Sequence, residues 1–368
     1  MLKTTPLHAS HVALGAKMGE FASYDMPLFY PDGVMKEHEW VRAHAGLFDV
    51  SHMGQITVTG NPEHIIKFWE HMTPSSFGKA KDGAAKYTVL TNEFGGMVDD
   101  LIVTRITADN FFAVINAGRK KYDLVWLREY LPDTLKLEYA EEQALIALQG
   151  PASEKVLRDV FGLDTSAQGY MTARHVTIDG APCFLSRLGY TGEDGFELSI
   201  APDIAAAVWD KLLAHPEVKP IGLAARDSLR LEMGYPLYGH DIDEKTTPLE
   251  ADLAWVMGKE NTGFVGAKHV LHQKEKGPSR KRIGLKLTEA GVAREGAEIR
   301  DAQDKKIGML TSGGFAPSLK QSIGMGYVDS NNANVGEKIF VNVRGRNIAA
   351  EICAMPFVRA KTKNKKAA

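Results

Sequence analysis

The stretch Gly95-Gly96-Met97-Val98-Asp99-Asp100-Leu101-Ile102-Val103 (GGMVDDLIV) places two adjacent carboxylates at the start of an apolar, β-branched run. Aspartate disfavours strand structure, yet the strand pattern continues directly through the pair. Local conflicts of this kind concentrate at functional sites, although a solvent-exposed sheet face would also account for polar residues in a strand. The stretch therefore predicts a strand that carries either a ligand-binding acid or an exposed one.

The segments on either side of this stretch predict an antiparallel meander of three strands, with one turn before the stretch and one turn after it. The register set by those turns places Tyr87 and Asn116 directly opposite Asp100. Opposed side chains lie on the same sheet face, with Cβ atoms roughly 5 Å apart. Asp99 then points to the opposite face, because side chains alternate along a strand.

Length and composition favour a globular protein of two or three domains, since the chain has 368 residues, of which 44% are hydrophobic and 24% are charged. The formal net charge is -2, and no long basic block lies in the body of the chain. Charge therefore gives no indication of nucleic-acid binding. The short basic run Lys361–Lys366 predicts a solvated, disordered end.

Cysteine usage and hydropathy indicate the compartment. Cys183 and Cys353 are the only cysteines and form no zinc or disulfide pattern, which favours a reducing environment. The longest apolar runs span about five residues, far fewer than a membrane helix needs, and the N-terminus lacks the apolar core of a signal peptide. We expect no membrane association and a cytoplasmic protein, or a mitochondrial-matrix protein if the source is eukaryotic.

The histidines give no sign of a metal site, because the 12 of them show no ligand spacing such as HExxH. His52, in Asp49-Val-Ser-His-Met53, is a conceivable catalytic base. No nucleophile pattern accompanies it, so a structural or partner-facing role is the stronger hypothesis.

Helix and strand patterns alternate irregularly up to about residue 258, which predicts an α+β fold. Segments 126–130 and 204–213 have the periodicity of amphipathic helices. A Gly- and Lys-rich stretch, 259–281, predicts a linker with one short helix. Short strands follow, with a hairpin turn at 343–347, and they predict an all-β C-terminal sandwich or barrel.

A second polar constellation is Arg187-Leu-Gly-Tyr-Thr-Gly-Glu-Asp-Gly-Phe-Glu197 (RLGYTGEDGFE). Its three glycines allow sharp turns and close approach of the backbone to a ligand. Glu197 falls inside the next predicted strand, either on a wet face or paired with donors in a pocket. A carboxylate there could accept two parallel hydrogen bonds from the edge of a planar ligand.

A third constellation lies in the predicted helix 222–232, where Arg226 and Arg230 are four residues apart and share a face. Either arginine could equally be an ordinary partner of a nearby acid. Aromatic residues that could stack on a flat ring follow this helix, although each could also be core: Tyr235, Tyr238 and Trp255.

Taken together, these motifs resemble the glycine cleavage T-proteins, the aminomethyltransferase family. The resemblance covers almost the whole chain, and long motifs occur in the family order. They are Thr5-Pro-Leu-His8, Gly46-Leu-Phe-Asp-Val-Ser-His-Met-Gly54, Asn92-Glu-Phe-Gly-Gly-Met-Val-Asp-Asp-Leu101, Ala147-Leu-Gln-Gly-Pro151, Gly189-Tyr-Thr-Gly-Glu-Asp-Gly195, Ala224-Ala-Arg-Asp-Ser-Leu-Arg-Leu-Glu232, Tyr238-Gly-His-Asp-Ile-Asp-Glu244 and Thr311-Ser-Gly-Gly314.

The resemblance implies three domains around a central folate site, the third being a β-barrel. We place a discontinuous folate-binding α+β domain at 1–50 and 141–258, and a second α+β domain carrying the GGMVDD motif at 51–140. The linker occupies 259–281, and the barrel domain 282–368. A monomer is expected, although no residue pattern fixes the oligomeric state.

The resemblance also implies a reaction in which a lipoylated H-protein delivers an aminomethyl group to tetrahydrofolate. The products are 5,10-methylenetetrahydrofolate, ammonia and dihydrolipoyl H-protein. In this family the second Asp of the motif is the key acid, here Asp100. The residues expected around the folate are Tyr87, Asp100, Asn116, Tyr190, Glu197, Arg226, Tyr235 and Trp255.

One position departs from the family pattern: Ser23-Tyr24 stands where Gly-Trp is frequent, which leaves the N-terminal contacts open. Two alternative functions come from relatives within the superfamily. A folate-dependent demethylase is the enzymatic alternative. A non-enzymatic folate-binding accessory protein is the other, but the K-G-C-Y-x-G-Q motif of those relatives has no counterpart near Thr246-Thr-Pro-Leu-Glu250.

Overall fold

The computed structural model describes residues 1–363 and combines two open sheets, a short hairpin and a closed barrel. The hairpin pairs β1 (Lys17–Phe21) with β2 (Tyr24–Phe29). Its two-residue turn has positive φ at both Ala22 and Ser23, the backbone that matches the twist of the flanking strands.

The larger open sheet has six strands in the order β10-β11-β12-β9-β3-β13. All its pairings are antiparallel except the short one between β13 and β3. In chain order the strands are β3 (Ala45–Asp49), β9 (Ala144–Gln149), β10 (Thr172–Ile178), β11 (Ala181–Arg187), β12 (Gly195–Ile200) and β13 (Val218–Pro220).

The second open sheet has five antiparallel strands in the order β5-β6-β7-β4-β8 and contains the predicted meander. Its strands are β4 (Gly54–Gly60), β5 (Ala85–Thr91), β6 (Met97–Thr107), β7 (Asn110–Ile115) and β8 (Leu135–Tyr139).

Within residues 1–363, eight α-helices cover these sheets and connect to the barrel. They are α1 (His8–Ala13), α2 (Val34–Ala43), α3 (Pro62–Met72), α4 (Lys120–Glu129), α5 (Ser153–Phe161), α6 (Pro202–Leu213), α7 (Leu223–Glu232) and α8 (Ala267–Lys276), with short 3-10 turns at Ala254–Val256 and Ser330–Asn332. Local signals fix several ends: Asn61 caps α3 ahead of Pro62, and Gly162 ends α5 in the left-handed region.

The C-terminal strands close into a barrel in the order β14-β17-β16-β15-β18-β19, which confirms the predicted barrel and the mixed helix and strand class. They are β14 (Arg280–Leu287), β15 (Glu298–Arg300), β16 (Lys306–Ala316), β17 (Gln321–Asp329), β18 (Lys338–Val343) and β19 (Arg346–Cys353). The three-residue β15 has no strong sequence pattern and was not predicted. The sequence-based domain boundaries stay a prediction.

Each unit has its own apolar core. One cluster lies between the six-stranded sheet and α5 and α6, and another between the five-stranded sheet and α3 and α4. A third fills the barrel. A smaller cluster, which includes Phe48, Val114 and Leu229, joins β3, β7 and α7. This last cluster brings the two open sheets and α7 to one place, where the cavity described below lies.

The predicted register of the meander is partly wrong. Asp100 lies opposite Val89, not opposite Tyr87, because the turn closes at Asn92 and Gly96 and a bulge follows between Leu90 and Thr91. Each difference shifts the pairing by one residue. The two shifts preserve the alternation of faces, so Tyr87 still lies on the face of Asp100, two pairs further along, opposite Ile102.

The other side of the meander follows the prediction more closely. Ile102 lies opposite Val114, and continuing that register brings Asn116, just beyond β7, level with Asp100. A bulge near the second turn pairs Thr107, not Ile106, with Asn110. The three polar side chains therefore do meet.

The expectation of a disordered basic end is wrong for Lys361 and Lys363. The Lys361 amide donates to the Gly192 carbonyl, and the Lys361 ammonium lies 3.2 Å from Glu193. Lys363 pairs with Glu154 at 2.8 Å. The rest of the predicted basic run, 364–366, lies outside the described residues.

Candidate active site

A cavity of 1140 Å³ opens where the two open sheets, α7 and the barrel meet. Its wall contains every residue that the sequence singled out for the folate site, contributed by β5, β6, β12, α7 and the connecting loops. These residues are Tyr87, Asp100, Asn116, Tyr190, Glu197, Arg226, Tyr235 and Trp255. Their assembly is an observation of the structure, whereas their roles stay predictions.

The acid at the cavity wall is Asp100, and two neighbouring side chains donate hydrogen bonds to it. The Tyr87 hydroxyl donates to Oδ2 at 2.9 Å, and the Asn116 Nδ2 donates to Oδ1 at 2.7 Å. Burial, and then the charge of Asp99, raises the pKa of Asp100 to about 7, against the effect of those two donors. The carboxylate is therefore held in place but weakly stabilised as an anion, which suits a site that receives a cation.

Asp99 is not remote from this group, contrary to the sequence-based expectation. Its carboxylate accepts the Asn116 backbone N–H at 3.0 Å and the Asn116 Nδ2 at 2.9 Å. Asn116 follows the last residue of β7, where the chain leaves the sheet, so its amide reaches both carboxylates. The amide of Asn116 thus bridges two acids that lie on opposite faces of β6.

Glu197 and Arg226 form the second charged part of the wall. Burial raises the pKa of Glu197 to about 7, and the nearby charge of Arg226 only partly offsets it. Burial also lowers the pKa of Arg226, and its Nη1 is buried with no hydrogen-bond partner among residues 1–363. An anion and a cation with spare hydrogen-bonding capacity favour a polar ligand that presents both donors and acceptors.

Aromatic rings line two sides of the cavity. Tyr190 and Tyr235 stack with centroids 5.7 Å apart, and Tyr87 and Trp255 stack at 5.5 Å. Trp255 is 67% exposed, which is unusual for a tryptophan and places it at the rim. Paired rings with one exposed member provide surfaces on which a flat ligand can stack.

Two further residues that the sequence analysis discussed, His52 and Arg230, also line the cavity. His52 lines the cavity, is buried, and has an Nδ1 without a partner in the described chain. Burial lowers its pKa to about 3, so the ring is neutral. The only feature of the sequence that points to His52 as a cavity residue is that it closely follows β3, a buried strand. Arg230 is bound by structural partners, including Asp241 at 2.7 Å.

The departure Ser23-Tyr24 lies beside the same region. Tyr24 is buried, and its hydroxyl accepts a hydrogen bond from the Lys120 ammonium at 2.8 Å. Lys120 also donates to the His52 carbonyl at 2.7 Å. The tyrosine hydroxyl thus links the hairpin to α4 through a hydrogen bond.

Residues 1–363 contain neither a candidate metal site nor a candidate membrane-spanning helix. Nowhere in that range do three or more His, Cys, Asp or Glu side chains gather in an arrangement able to hold a metal ion. The helices of the same range are all too short or too polar to cross a membrane.

Comparison with known protein families gives two matches that together cover most of the chain. Residues 7–261 match the GCVT N-terminal domain, and residues 280–359 match the glycine cleavage T-protein C-terminal barrel domain.

Individual relatives align with this chain along almost their whole length. The aminomethyltransferase of Halothermothrix orenii is 40% identical over 97% of this chain and 100% of its own. The mitochondrial aminomethyltransferase of Solanum tuberosum is 39% identical over 98% of this chain and 91% of its own. The crystal structure of glycine cleavage system aminomethyltransferase T from Bartonella henselae superposes with a TM-score of 0.94, at 42% identity, covering 99% of this chain and 100% of that one.

Proposed function

We propose that this chain, which belongs to the glycine cleavage T-protein family of aminomethyltransferases, transfers a methylene carbon from an aminomethyl-lipoyl H-protein to tetrahydrofolate. The carbon leaves both sulfur and nitrogen, so the products are 5,10-methylenetetrahydrofolate, ammonia and dihydrolipoyl H-protein. Tetrahydrofolate is a cosubstrate, and the lipoyl group belongs to the partner. The observation that carries the proposal is a single hydrogen-bonded carboxylate, Asp100, open to a large cavity with aromatic and charged walls.

Asp100 has the properties that this reaction needs. Breaking a bond of an N–CH2–S carbon generates an iminium-like cation, and a fixed anion in a site of low dielectric stabilises it. Tyr87 and Asn116 hold the carboxylate, so no reorganisation is needed as the charge develops. The same carboxylate can orient the attacking nitrogen of the folate.

Glu197 and Arg226 are suited to orient the pterin. The 2-amino group and the neighbouring ring N–H form a donor pair that a carboxylate accepts in parallel, which is the role we assign to Glu197. Arg226 offers the unpartnered Nη1 as a donor to a ring acceptor and lies with its guanidinium 4.9 Å from the Tyr190 ring. Tyr190, Tyr235 and Trp255 would then pack against the flat parts of the folate.

One assay tests this proposal. Aminomethyl-loaded H-protein and tetrahydrofolate are incubated with the purified chain, and methylenetetrahydrofolate and ammonia are measured together. Equal amounts of the two products are expected, and neither should form when H-protein without lipoyl is used. Absence of both products, with tetrahydrofolate bound, would support the demethylase or the accessory protein instead, and methyltetrahydrofolate formed when a methylated donor replaces the H-protein would identify the demethylase.

We also propose that the chain acts as a monomer in the cytoplasm, or in the mitochondrial matrix of a eukaryote. The family relatives include both unlabelled and mitochondrial aminomethyltransferases. Sedimentation velocity at several protein concentrations would check the oligomeric state.

A further inference from the structure

A second buried acid lies behind the cavity wall. Asp123, in the first turn of α4, is fully buried, as is Asp99 on the face of β6 turned away from Asp100. Both oxygens of the Asp123 carboxyl group are buried without a hydrogen-bond partner in residues 1–363, and the neighbouring Asp99 acts on the pKa of Asp123. Two neighbouring buried carboxyl groups are very costly to ionise together, so we infer that one of the two carries a proton.

The hydrogen bonds around the two acids show where this proton lies. Both Asp99 oxygens accept hydrogen bonds from Asn116, at 3.0 and 2.9 Å, which favours the ionised form of Asp99. Neither Asp123 oxygen receives an N–H or O–H from another residue within the described chain. An unsolvated carboxylate with no donors would be very costly, whereas a neutral acid that donates to Asp99 satisfies both groups.

We propose that Asp123 is a positioning residue that stays neutral and donates its proton to Asp99, so that Asp99 fixes Asn116 and Asn116 fixes Asp100. This deepens the role of the site and rests on the proposed function for its effect on turnover. The observed hydrogen bonds run from Asp99 through Asn116 to the carboxylate at the cavity wall, and the proposal adds Asp123 as the donor to Asp99.

The surrounding charges are consistent with one neutral member. Burial and the charge of Asp99 raise the pKa of Asp123 well above its usual value, and the more distant charge of Asp100 acts in the same direction. Arg119 is the facing cation, but its hydrogen bonds go to the Val98 carbonyl at 3.0 Å and to Glu244 at 2.5 Å. Tyr238, the remaining titratable group, donates its hydroxyl to the Met97 carbonyl.

The test compares Asp123→Asn with Asp123→Leu. Asparagine has the shape of the neutral acid and keeps an N–H donor, whereas leucine has a similar size and no donor. The first measurement is urea unfolding between pH 4 and pH 8, which needs no turnover. The second is the pH profile of kcat/KM with loaded H-protein and tetrahydrofolate.

For Asp123→Asn the folding equilibrium constant should match the wild type near pH 4 and exceed it about tenfold or more near pH 8. The wild-type native state keeps a proton that the unfolded chain releases above pH about 4, so its stability falls as pH rises through this range. The acid limb of the kcat/KM profile should not move, because no charge is removed. A downward shift of that limb, or a loss of stability that grows towards pH 8, would show that Asp123 is ionised and overturn the proposal.

For Asp123→Leu we expect a loss of turnover of about tenfold, with the acid limb displaced, because Asp99 loses a donor and Asn116 its anchor. Wild-type turnover and an unchanged profile in this variant would overturn the positioning role. If leucine prevents folding, the Asp123→Asn measurements decide alone. The experiment also distinguishes failure of this proposal from failure of the proposed function. If the proposed function is wrong, the wild type is inactive in the assay, but the unfolding result for Asp123→Asn still holds.

Discussion

Arg187, which is buried, and Arg226, which is half-buried, differ in how completely their hydrogen-bonding groups are satisfied. Arg187 uses all five of its N–H groups: it donates to Asp194 twice, to Glu154, and to the carbonyls of Thr165 and Gln168. Arg226, at the cavity wall, has a buried Nη1 without a partner in the described residues. Burial opposes the charge of both, but Asp194 and Glu154 raise the pKa of Arg187, whereas the pKa of Arg226 is lowered.

Two buried glutamates show the same difference. Glu232 receives donors from Ser318, His38 and Arg42, and these overcome burial and lower its pKa to about 2. Glu197 has Arg226 nearby, and burial still raises its pKa to about 7. In these two pairs the fully satisfied groups lie inside the fold and the incompletely satisfied ones line the cavity, as expected if their partners arrive with a ligand.

Arg187→Met should cause the largest loss of stability. It leaves Asp194 and Glu154 without their shared cation and opens carbonyls that had donors, so we expect the free energy of unfolding to fall by about 3–5 kcal/mol. Urea denaturation followed by circular dichroism measures this. The matched control, Arg226→Met, should change stability little or increase it. Equal losses in the two variants would remove the distinction between the two arginines.

Asp100→Asn should fold normally and lose turnover by roughly 100- to 1,000-fold. It keeps the size and most of the hydrogen bonds of the side chain and removes the negative charge that a cationic transition state requires. Steady-state rates and thermal melts are needed for this variant and for Asp99→Asn. Asp99→Asn should have an intermediate effect, because Asp99 lies on the opposite face of β6 but accepts two hydrogen bonds from Asn116. Wild-type turnover in Asp100→Asn would contradict the proposed chemistry.

Strand periodicity was sufficient to predict the meander and the face that carries Asp100, but not the pairing itself. Register depends on turn geometry, and the turn before β6 closes at Asn92 with Gly95 in the left-handed region. A bulge at Leu90 and Thr91 then restores the face. Neither feature has a distinctive residue pattern, so a correct face was reached through an incorrect partner.

The site residues could be predicted where they belong to a sequence motif. They could not be predicted where only their contacts in the folded structure distinguish them from other residues. The eight expected residues do line one cavity. Residue spacing alone does not separate Arg226 from Arg230, and both line the cavity. Only the contacts do, because the Arg226 Nη1 has no partner in the described residues, whereas Asp241 and Ser312 hold Arg230. Asp123 lies on a helix with the spacing of an ordinary surface acid, and only the packing of α4 on β6 buries it.

Glu197→Gln should stabilise the unliganded protein at neutral and higher pH. The folded-state pKa of Glu197 is raised to about 7, so the native state retains a proton that the unfolded state releases near pH 4.5. Wild-type stability therefore falls as pH rises between these values, whereas glutamine does not titrate. The gain should be absent at pH 4 and of order 3 kcal/mol above pH 7.

The control for this experiment is Glu232→Gln, with the opposite sign. The pKa of Glu232 is depressed to about 2, so its contribution to stability is present above pH 4.5 and is lost as pH falls through 2. Unfolding by urea at pH 4, 6 and 8 distinguishes the two glutamates. A Glu197→Gln variant that is less stable than the wild type at pH 8 would mean that Glu197 already has its partners within the fold.

Glu197→Gln should at the same time weaken tetrahydrofolate binding by about 1–3 kcal/mol, because one pterin N–H would lose its acceptor. Isothermal titration calorimetry under anaerobic conditions measures this affinity. Ser199→Ala, which changes a buried residue of the same strand outside the cavity wall, is the matched control and should keep its affinity. Unchanged affinity in Glu197→Gln would place this residue outside the pterin contacts.

The smallest effect on stability is expected from the backbone of the β1–β2 turn, which we compare with the side chains discussed above. The β1–β2 turn holds Ala22 at φ 49° and Ser23 at φ 66°, a conformation that suits glycine and is strained for both residues. Phe21 and Ala22 line the cavity, so the strained backbone lies beside the partly satisfied side chains. Ser23→Gly should relieve strain of about 1–2 kcal/mol, while the greater entropy of the unfolded chain should cost about 0.4–1 kcal/mol of stability. The net gain in the free energy of unfolding should be about 0.5–1 kcal/mol.

The control is Ser166→Gly, at an exposed turn residue outside the left-handed region, which should instead lower stability slightly. Urea unfolding of both variants checks the prediction. If Ser23→Gly loses as much stability as Ser166→Gly, the turn stores no strain, and incomplete satisfaction at the cavity is confined to side chains.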